Sequence, residues 1–91
     1  MKQNYIKVFK ALGYYRRIKI LKKINDSKLK TTTSIFLSKE LGIPKESMRF
    51  HLNELVKANL IKKEKRKSLY IYISVNLDLI KQTQQAMKEL V

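Results

Sequence analysis

The sequence predicts a mainly α-helical fold with one small β-hairpin, built as a single domain over residues 1–91. Three observations lead to this prediction. Apolar residues recur at helical spacing through most of the chain. One stretch, Leu69 to Val75, alternates apolar and polar residues with the period of two that is typical of a strand. Ninety-one residues suffice for one modest core, and no repeat or flexible linker divides them.

Two helices are predicted to open the chain. The first gathers apolar residues on one face and ends before Gly13, a natural helix stop. The second runs from Tyr14 to Asn25, and its wide apolar arc predicts burial on more than one side. The threonine-rich stretch from Lys28 to Thr33 then predicts a short strand, because β-branched residues favour strands.

Two further helices follow, joined by a tight turn. The third is capped by Thr33 or Ser34 and ends at Gly42. Pro44 suits the first turn of a helix and opens the fourth, whose apolar residues recur at i, i+4, i+7 and i+8. This helix ends at Asn59, since asparagine tolerates the left-handed backbone conformation.

A hairpin and a last helix complete the prediction. Leu60 and Ile61 begin the first strand, and the basic run from Lys62 to Ser68 holds the end of that strand and the hairpin tip. The last helix runs from Leu77 to Val91. The order is therefore helix, helix, short strand, helix, helix, hairpin, helix. Two helices joined by a tight turn, with a basic hairpin directly after the second, are the elements of a winged helix-turn-helix.

The charge of the chain predicts a polyanionic partner. Lys and Arg number 21 against 7 Asp and Glu, which gives a net charge of +14. Residues 1–39 hold eleven bases and a single acid, Asp26. A folded basic domain of this kind favours double-stranded DNA as its partner.

Composition also argues against several classes of function. Without cysteine there is no disulfide, thiolate metal site or thiol catalysis, and the lone His51 cannot make a zinc site by itself. We find no paired carboxylates, activated nucleophile or phosphate-binding loop, so we predict neither an enzyme nor a cofactor. Lysines interrupt the N-terminal apolar residues, and no apolar run approaches the ~20 residues of a membrane span. These patterns predict a soluble, cytoplasmic, nucleoid-associated protein.

The fourth helix carries the candidate base-reading residues opposite its core stripe. Arg49 can read guanine, Asn53 can read adenine, and Phe50 can contact a thymine methyl group. The predicted DNA-contacting residues of this helix are Lys45, Glu46, Ser47, Arg49, Phe50, Asn53 and Lys57. Those of the hairpin, expected to contact phosphates, are Lys62, Lys63, Lys65, Arg66 and Lys67.

Several segments, taken in order, resemble the arsenic-repressor-type (ArsR/SmtB) winged-helix transcriptional regulators. They span roughly Val8 to Asn76 and are Phe9–Leu12, Arg17–Leu21, Leu37–Ile43, Ser47–Leu55, Ala58–Ile61 and Arg66–Ser68. The resemblance implies a two-fold repressor on a palindromic operator, with the first and last helices forming the dimer interface. The apolar faces of those helices fit that role independently. The predicted interface residues are Tyr5, Val8, Phe9, Leu12, Ile80, Thr83, Met87 and Leu90.

The departures from the family pattern concern its metal sites and its turns. The third-helix thiolate sensor would fall at Thr31 to Phe36, which has no cysteine, and the last helix has no histidine. We therefore predict that the protein does not sense soft metals through those sites; whether a small-molecule effector exists is open. Ser68 and Asn59 stand where the family has glycines.

Three residues and two other functions remain open at this stage. His51 is predicted to be structural or to contact phosphate, and Arg17 to be buried against backbone carbonyls more readily than to contact DNA. Phe50 either contacts DNA or a partner, or packs against the wing. The competing functions are a nonspecific architectural nucleic-acid-binding protein and a winged-helix protein-interaction module. Repression is expected over activation, because so short a chain leaves no room for a recruiting domain.

Overall fold

The computed structural model describes residues 3–27 and 32–89. Five helices and one antiparallel two-stranded hairpin make up this part of the chain, which confirms the predicted fold class. Their bounds are α1 Gln3–Leu12, α2 Tyr15–Asp26, α3 Ser34–Leu41, α4 Lys45–Lys57, β1 Lys62–Arg66, β2 Leu69–Ile73 and α5 Leu77–Lys88. None of the helices in the described ranges is long and apolar enough to cross a membrane.

One hydrophobic core lies between the helices and the base of the hairpin. Its most deeply buried side chains, none of them exposed to solvent, are Ile20, Leu37, Met48, Leu52, Leu55 and Leu60. Burial of each such side chain contributes about 1.5–3 kcal/mol to folding, so this core fixes α2, α3 and α4 relative to one another.

The turn between α3 and α4 is set by Gly42, as the sequence predicts. Gly42 adopts the left-handed conformation, with φ of 65°, and the Ile43 amide donates to the Ser38 carbonyl at 3.2 Å. At the other end of α3, the Thr33 hydroxyl accepts from the Phe36 amide at 3.1 Å and caps the helix. Pro44 then precedes the first residue of α4.

The predicted short strand is described only at its end. Residues 28–31 lie outside the described residues, and Thr32 and Thr33 belong to neither a helix nor a strand. Thr32 nevertheless pairs with β2. The Tyr72 amide donates to the Thr32 carbonyl at 3.0 Å, and the Thr32 hydroxyl donates to the Tyr72 carbonyl. The segment before α3 is thereby tied to the hairpin.

The hairpin differs from the prediction in how it divides the basic run. Most of that run forms β1 itself, whereas Leu60 and Ile61 precede the strand and are buried. The half-buried alternation predicted for the second strand is wrong, since Ile71 and Tyr72 are both buried. The physical reason is position along the hairpin. Residues near the projecting tip are exposed on both faces, while the base of the hairpin packs against α2 and α3.

Helix α5 packs against α1 and begins at a cap the sequence did not specify. The Asn76 side chain accepts from the Leu79 amide at 3.1 Å and donates to the Asn59 carbonyl at 3.1 Å. The helix ends at Lys88 rather than Val91, and Leu90 lies outside the described residues.

Candidate nucleic-acid interface

Helix α4 separates its core residues from a fully accessible outer face. Met48, His51, Leu52 and Leu55 are buried. Of the predicted DNA-contacting residues on this helix, Ser47 is half-buried and the others are exposed, namely Lys45, Glu46, Arg49, Phe50, Asn53 and Lys57. The helix that follows the α3–α4 turn thus presents polar and basic side chains outward.

A groove of about 610 Å³ lies between this outer face, the hairpin and the start of α3. It brings together five of the predicted residues, which are Lys45, Glu46, Arg49, Asn53 and Lys63. Sequence reasoning missed the others that line it, which are Thr33, Ser34, Ile35, Ser68, Leu69, Tyr70 and Tyr72. We call this space the wing-side groove.

The strand register decides which wing residues face the wing-side groove. Lys63 pairs with Tyr72 and Lys65 with Tyr70, so these four side chains share one face of the hairpin. The Lys63 ammonium lies 4.2 Å from the centroid of the Tyr70 ring, and that of Lys65 lies 6.0 Å away. Basic and aromatic side chains therefore alternate along the wall of the groove.

Lys62 and Arg66 occupy the opposite face of the hairpin. Each is two residues from Glu64 on the same strand, and side chains two apart along a strand share a face. Arg66 Nε lies 3.3 Å from Glu64 Oε1, so a carboxylate already accompanies this guanidinium. Lys67 lies at the tip and takes the left-handed conformation, with φ of 56°. The five predicted wing residues thus divide between two faces and the tip.

Arg49 links the helix to the hairpin electrostatically. Burial raises the pKa of the Tyr72 hydroxyl, and the nearby positive charge of Arg49 opposes that rise. Arg49, Asn53 and Tyr72 all line the wing-side groove.

A cluster of aromatic and cationic groups occupies the opposite flank of α4. Arg17 Nε donates to His51 Nδ1 at 3.0 Å and Nη1 donates to the Ala11 carbonyl at 3.4 Å. The guanidinium lies 4.2 Å from the Tyr14 ring centroid and 5.6 Å from that of Phe50. The prediction of a buried Arg17 bound to a backbone carbonyl is confirmed, whereas its bond to His51 was not foreseen.

His51 and Phe50 both belong to this cluster. His51 is buried and structural. Its pKa is lowered chiefly because burial disfavours the charged imidazolium, and further by the positive charges of Arg17 and Arg16. The Phe50 ring lies beside Arg17 and His51, and 55% of the residue is exposed.

The predicted dimer residues are unevenly accessible. Val8 and Thr83 are each only 1% exposed. Val8 packs in the hydrophobic core, and the Thr83 hydroxyl donates to the Leu79 carbonyl at 2.7 Å. Tyr5, Phe9, Leu12 and Ile80 are half-buried, and Met87 is 50% exposed. A mainly apolar groove of about 430 Å³ lies beside α5. It is lined by the predicted residues Leu12, Ile80, Thr83 and Met87, together with Ile18, Leu21, Lys22, Asn25, Val75, Leu77 and Gln84.

As for metals, the described ranges contain no group of three or more His, Cys, Asp or Glu side chains placed to hold an ion.

A helix-turn-helix followed by a two-stranded wing defines the winged helix-turn-helix fold, and solved structures of that fold resemble this chain. One is an ArsR-like transcriptional regulator from Rhodococcus sp. RHA1, with a TM-score of 0.77 and 19% identity over 97% of this chain and 79% of that one. Another is HlyU from Vibrio cholerae N16961, with a TM-score of 0.72 and 19% identity over 94% of this chain and 90% of that one.

A third similar structure comes from Mycobacterium bovis. It is the homodimeric winged helix-turn-helix DNA-binding domain of a possible ArsR-family transcriptional regulator, with a TM-score of 0.74 and 16% identity over 97% of this chain and 79% of that one. No protein-family model and no curated protein sequence matches the chain. The likeness to these structures shows the fold, and two of the three are described with the family that the sequence motifs resemble.

Proposed function

We propose that the protein is a homodimeric, sequence-specific double-stranded DNA-binding transcriptional regulator of the ArsR type, that it acts as a repressor in the cytoplasm, and that metal ions do not control it. The observation that carries the proposal is the wing-side groove, where Arg49 and Asn53 stand beside the basic, tyrosine-bearing face of the hairpin.

The chemistry of the groove supports base reading by the helix and phosphate contact by the wing. Arginine can donate two hydrogen bonds to guanine, and asparagine can pair with both the amino group and N7 of adenine. Lys63 and Lys65 carry point charges without base specificity, which suits phosphate oxygens. Glu46 also lines the groove. A carboxylate there repels phosphates and accepts from cytosine, which favours sequence reading over nonspecific coating of DNA.

The apolar groove beside α5 supports the homodimer. Ile18, Leu77 and Met87 are 44%, 50% and 50% exposed, and they stand together along this groove. A second copy of the chain is the occupant we propose, since the M. bovis domain of the same fold is homodimeric. A two-fold dimer would place two copies of α4 on the two halves of a palindromic operator, and such occupancy at a promoter excludes the polymerase.

Two features support regulation without metal. The chain contains no cysteine, and α5 with its C-cap offers only Asp78 and Glu89 as carboxylates, with no histidine. Hard carboxylates without imidazole or thiolate partners are poor ligands for soft metals.

Fluorescence anisotropy tests the function. The wild-type chain is titrated against a labelled duplex from upstream of its own gene and against a scrambled duplex, across a salt series. We expect a preference for the native duplex that persists as salt rises. Arg49→Ala and Asn53→Ala should each reduce that preference by about 1–3 kcal/mol, while Lys81→Ala, which removes one charge from α5, should leave it intact. Equal affinities that fall together with salt would instead assign the protein an architectural role.

A further inference from the structure

A second groove, of about 350 Å³, lies between α1 and α4 and shares no lining residue with the wing-side groove. We call it the α1–α4 groove. Its walls come from three helices and the residue after α4, and its lining residues are Lys7, Lys10, Ala11, Arg17, Glu54, Lys57 and Ala58. Four bases and one acid give the lining a charge of 4 − 1 = +3.

Arg17 is a buried charge without a carboxylate partner. Only 3% of the residue is exposed, and its two hydrogen bonds go to neutral acceptors, His51 Nδ1 and the Ala11 carbonyl. Among the described residues, the ion pairs of glutamates run to Lys23, Lys57 and Arg66, none of them to Arg17. A buried charge is costly unless an opposite charge accompanies it, so this guanidinium favours an anion that enters from the groove.

Glu54 does not supply that compensation. Its carboxylate lies 4.0 Å from the Lys57 ammonium, one turn away on the same helix, at the outer limit of an ion pair. The side chain of Lys57 is itself 74% exposed and free to turn toward an incoming anion. Lys7 and Lys10 lie one turn apart on α1 and are exposed, so three exposed lysines line the same groove as the buried guanidinium.

We propose that the α1–α4 groove binds a phosphate group, with Arg17 at its base and Lys7, Lys10 and Lys57 around its rim. A phosphate carries more negative charge and more acceptor oxygens than a carboxylate does. It can therefore accept hydrogen bonds from a planar guanidinium and three ammonium groups at the same time, whereas a single carboxylate cannot. The groove volume of about 350 Å³ exceeds that of one phosphate and leaves room for a di- or triphosphate. The phosphate comes either from a free phosphorylated molecule or from a DNA backbone that passes beside α4.

The single histidine of the chain reports directly on this site. His51 accepts from Arg17, and the charge of Arg17 contributes to the lowering of its pKa. An anion bound to Arg17 would screen that charge. Nuclear magnetic resonance of the one imidazole therefore follows occupancy without any DNA present.

The experiment titrates inorganic pyrophosphate into the full chain and follows the His51 ring resonances. We expect a saturable shift and a rise in the His51 pKa. Lys10→Gln and Lys57→Gln should each weaken pyrophosphate binding by about tenfold, as the loss of one charge-assisted hydrogen bond implies. Lys81→Gln on α5 removes the same charge outside the groove and should leave binding unchanged. Lysines are replaced rather than Arg17, because the lysine variants keep the buried hydrogen bond between Arg17 and His51.

A second arm identifies the source of the phosphate. If pyrophosphate gives no saturable shift, but Lys7→Gln and Lys10→Gln weaken duplex binding and Lys81→Gln does not, the groove holds a phosphate of the DNA backbone. The proposal is overturned if the groove and α5 variants weaken binding equally, or if no variant changes binding of either probe. A protein that shows no preference among duplexes would refute the proposed function and leave the pyrophosphate result standing.

Discussion

At the scale of single residues, the hydrogen bond between Arg17 and His51 joins α2 to the middle of α4. A guanidinium only donates, so His51 Nδ1 must carry a lone pair and the imidazole must be neutral, with its proton on Nε2. The Tyr14 and Phe50 rings both lie near this guanidinium, at 4.2 Å and 5.6 Å from their centroids. This bond adds to the core packing between α2 and α4, and it depends on the neutral form of one side chain.

This dependence predicts that the protein loses stability in mild acid. The His51 pKa in the folded chain lies below its ordinary value of 6.5, so the unfolded chain takes up the proton first. The stabilisation is complete above pH 6.5 and is lost as pH falls through the lower, folded-state pKa. Urea denaturation between pH 8 and pH 5 should reveal a falling free energy of unfolding over the acid half of that range.

The control is His51→Gln, whose side-chain oxygen can accept from Arg17 but does not titrate. We expect this variant to be less stable overall and nearly flat between pH 7 and pH 5. A variant as pH-dependent as the wild type would show that other groups are responsible.

Asn59 offers a second prediction at this scale, since it takes the left-handed conformation immediately after α4, with φ of 62°. A residue with a β-carbon is strained there by about 1–2 kcal/mol, but asparagine tolerates the conformation because its short polar side chain can hydrogen-bond locally, and glycine has no β-carbon. Asn59→Ala should therefore lower the free energy of unfolding by about 1 kcal/mol, and Asn59→Gly should not. The matched control is Asn25→Ala, at an exposed helical position of α2. Equal effects of the two alanine substitutions would contradict the argument.

At the scale of secondary-structure elements, the bounds of the helices could be predicted from the sequence more accurately than those of the hairpin. Gly13, Gly42 and Pro44 interrupt the periodicity, so the helix bounds could be predicted to within one or two residues, apart from the end of α5. The basic run of β1 has no alternation of its own. Its register depends on the turn at Lys67, and the sequence motif had directed attention to Ser68 instead.

The same limit applied to the candidate site. Arg49 and Asn53 were predictable from helical periodicity, because their face is opposite the core stripe. Tyr70 was missed because its position beside Lys63 and Lys65 exists only once the strands are paired. The bond of Arg17 to His51, 34 residues further along the chain, likewise arises only in the folded chain.

The two faces of the wing predict different effects on DNA binding. Lys63→Ala and Lys65→Ala should weaken native and scrambled duplexes alike and reduce the salt slope by about 1 each, as expected for the loss of one phosphate contact. Arg66→Ala removes the same charge from the opposite face, where Glu64 already pairs with it, and should have a smaller effect. Anisotropy at several salt concentrations measures both quantities. If Arg66→Ala matches the lysine variants, the wing approaches DNA by its tip and not by one face.

At the scale of the whole molecule, the excess of positive charge favours DNA binding, whereas the exposed apolar surface favours association of two copies. A charge of +14 attracts DNA but also repels a second copy of the chain. The dimer proposed above would therefore rest on apolar burial, for which the groove beside α5 with Ile18, Leu77 and Met87 offers a surface. Because lysine charges are screened by salt while apolar burial is not, dimerisation should strengthen as salt rises and DNA binding should weaken.

Met87→Glu tests this arrangement, because it places a carboxylate at the centre of the apolar surface. We expect the wild-type chain to sediment as a dimer and the variant as a monomer. On a duplex with two half-sites one helical turn apart, about 34–36 Å, the variant should lose the gain from divalent binding, about a hundredfold or more. On a single half-site the two proteins should bind alike.

Gln85→Glu makes the same charge change at an exposed position of α5 and should remain a dimer. A Met87→Glu variant that stays dimeric would place the interface on another surface. A wild-type chain that sediments as a monomer would contradict the proposed homodimer, and each half of the operator would then be bound independently.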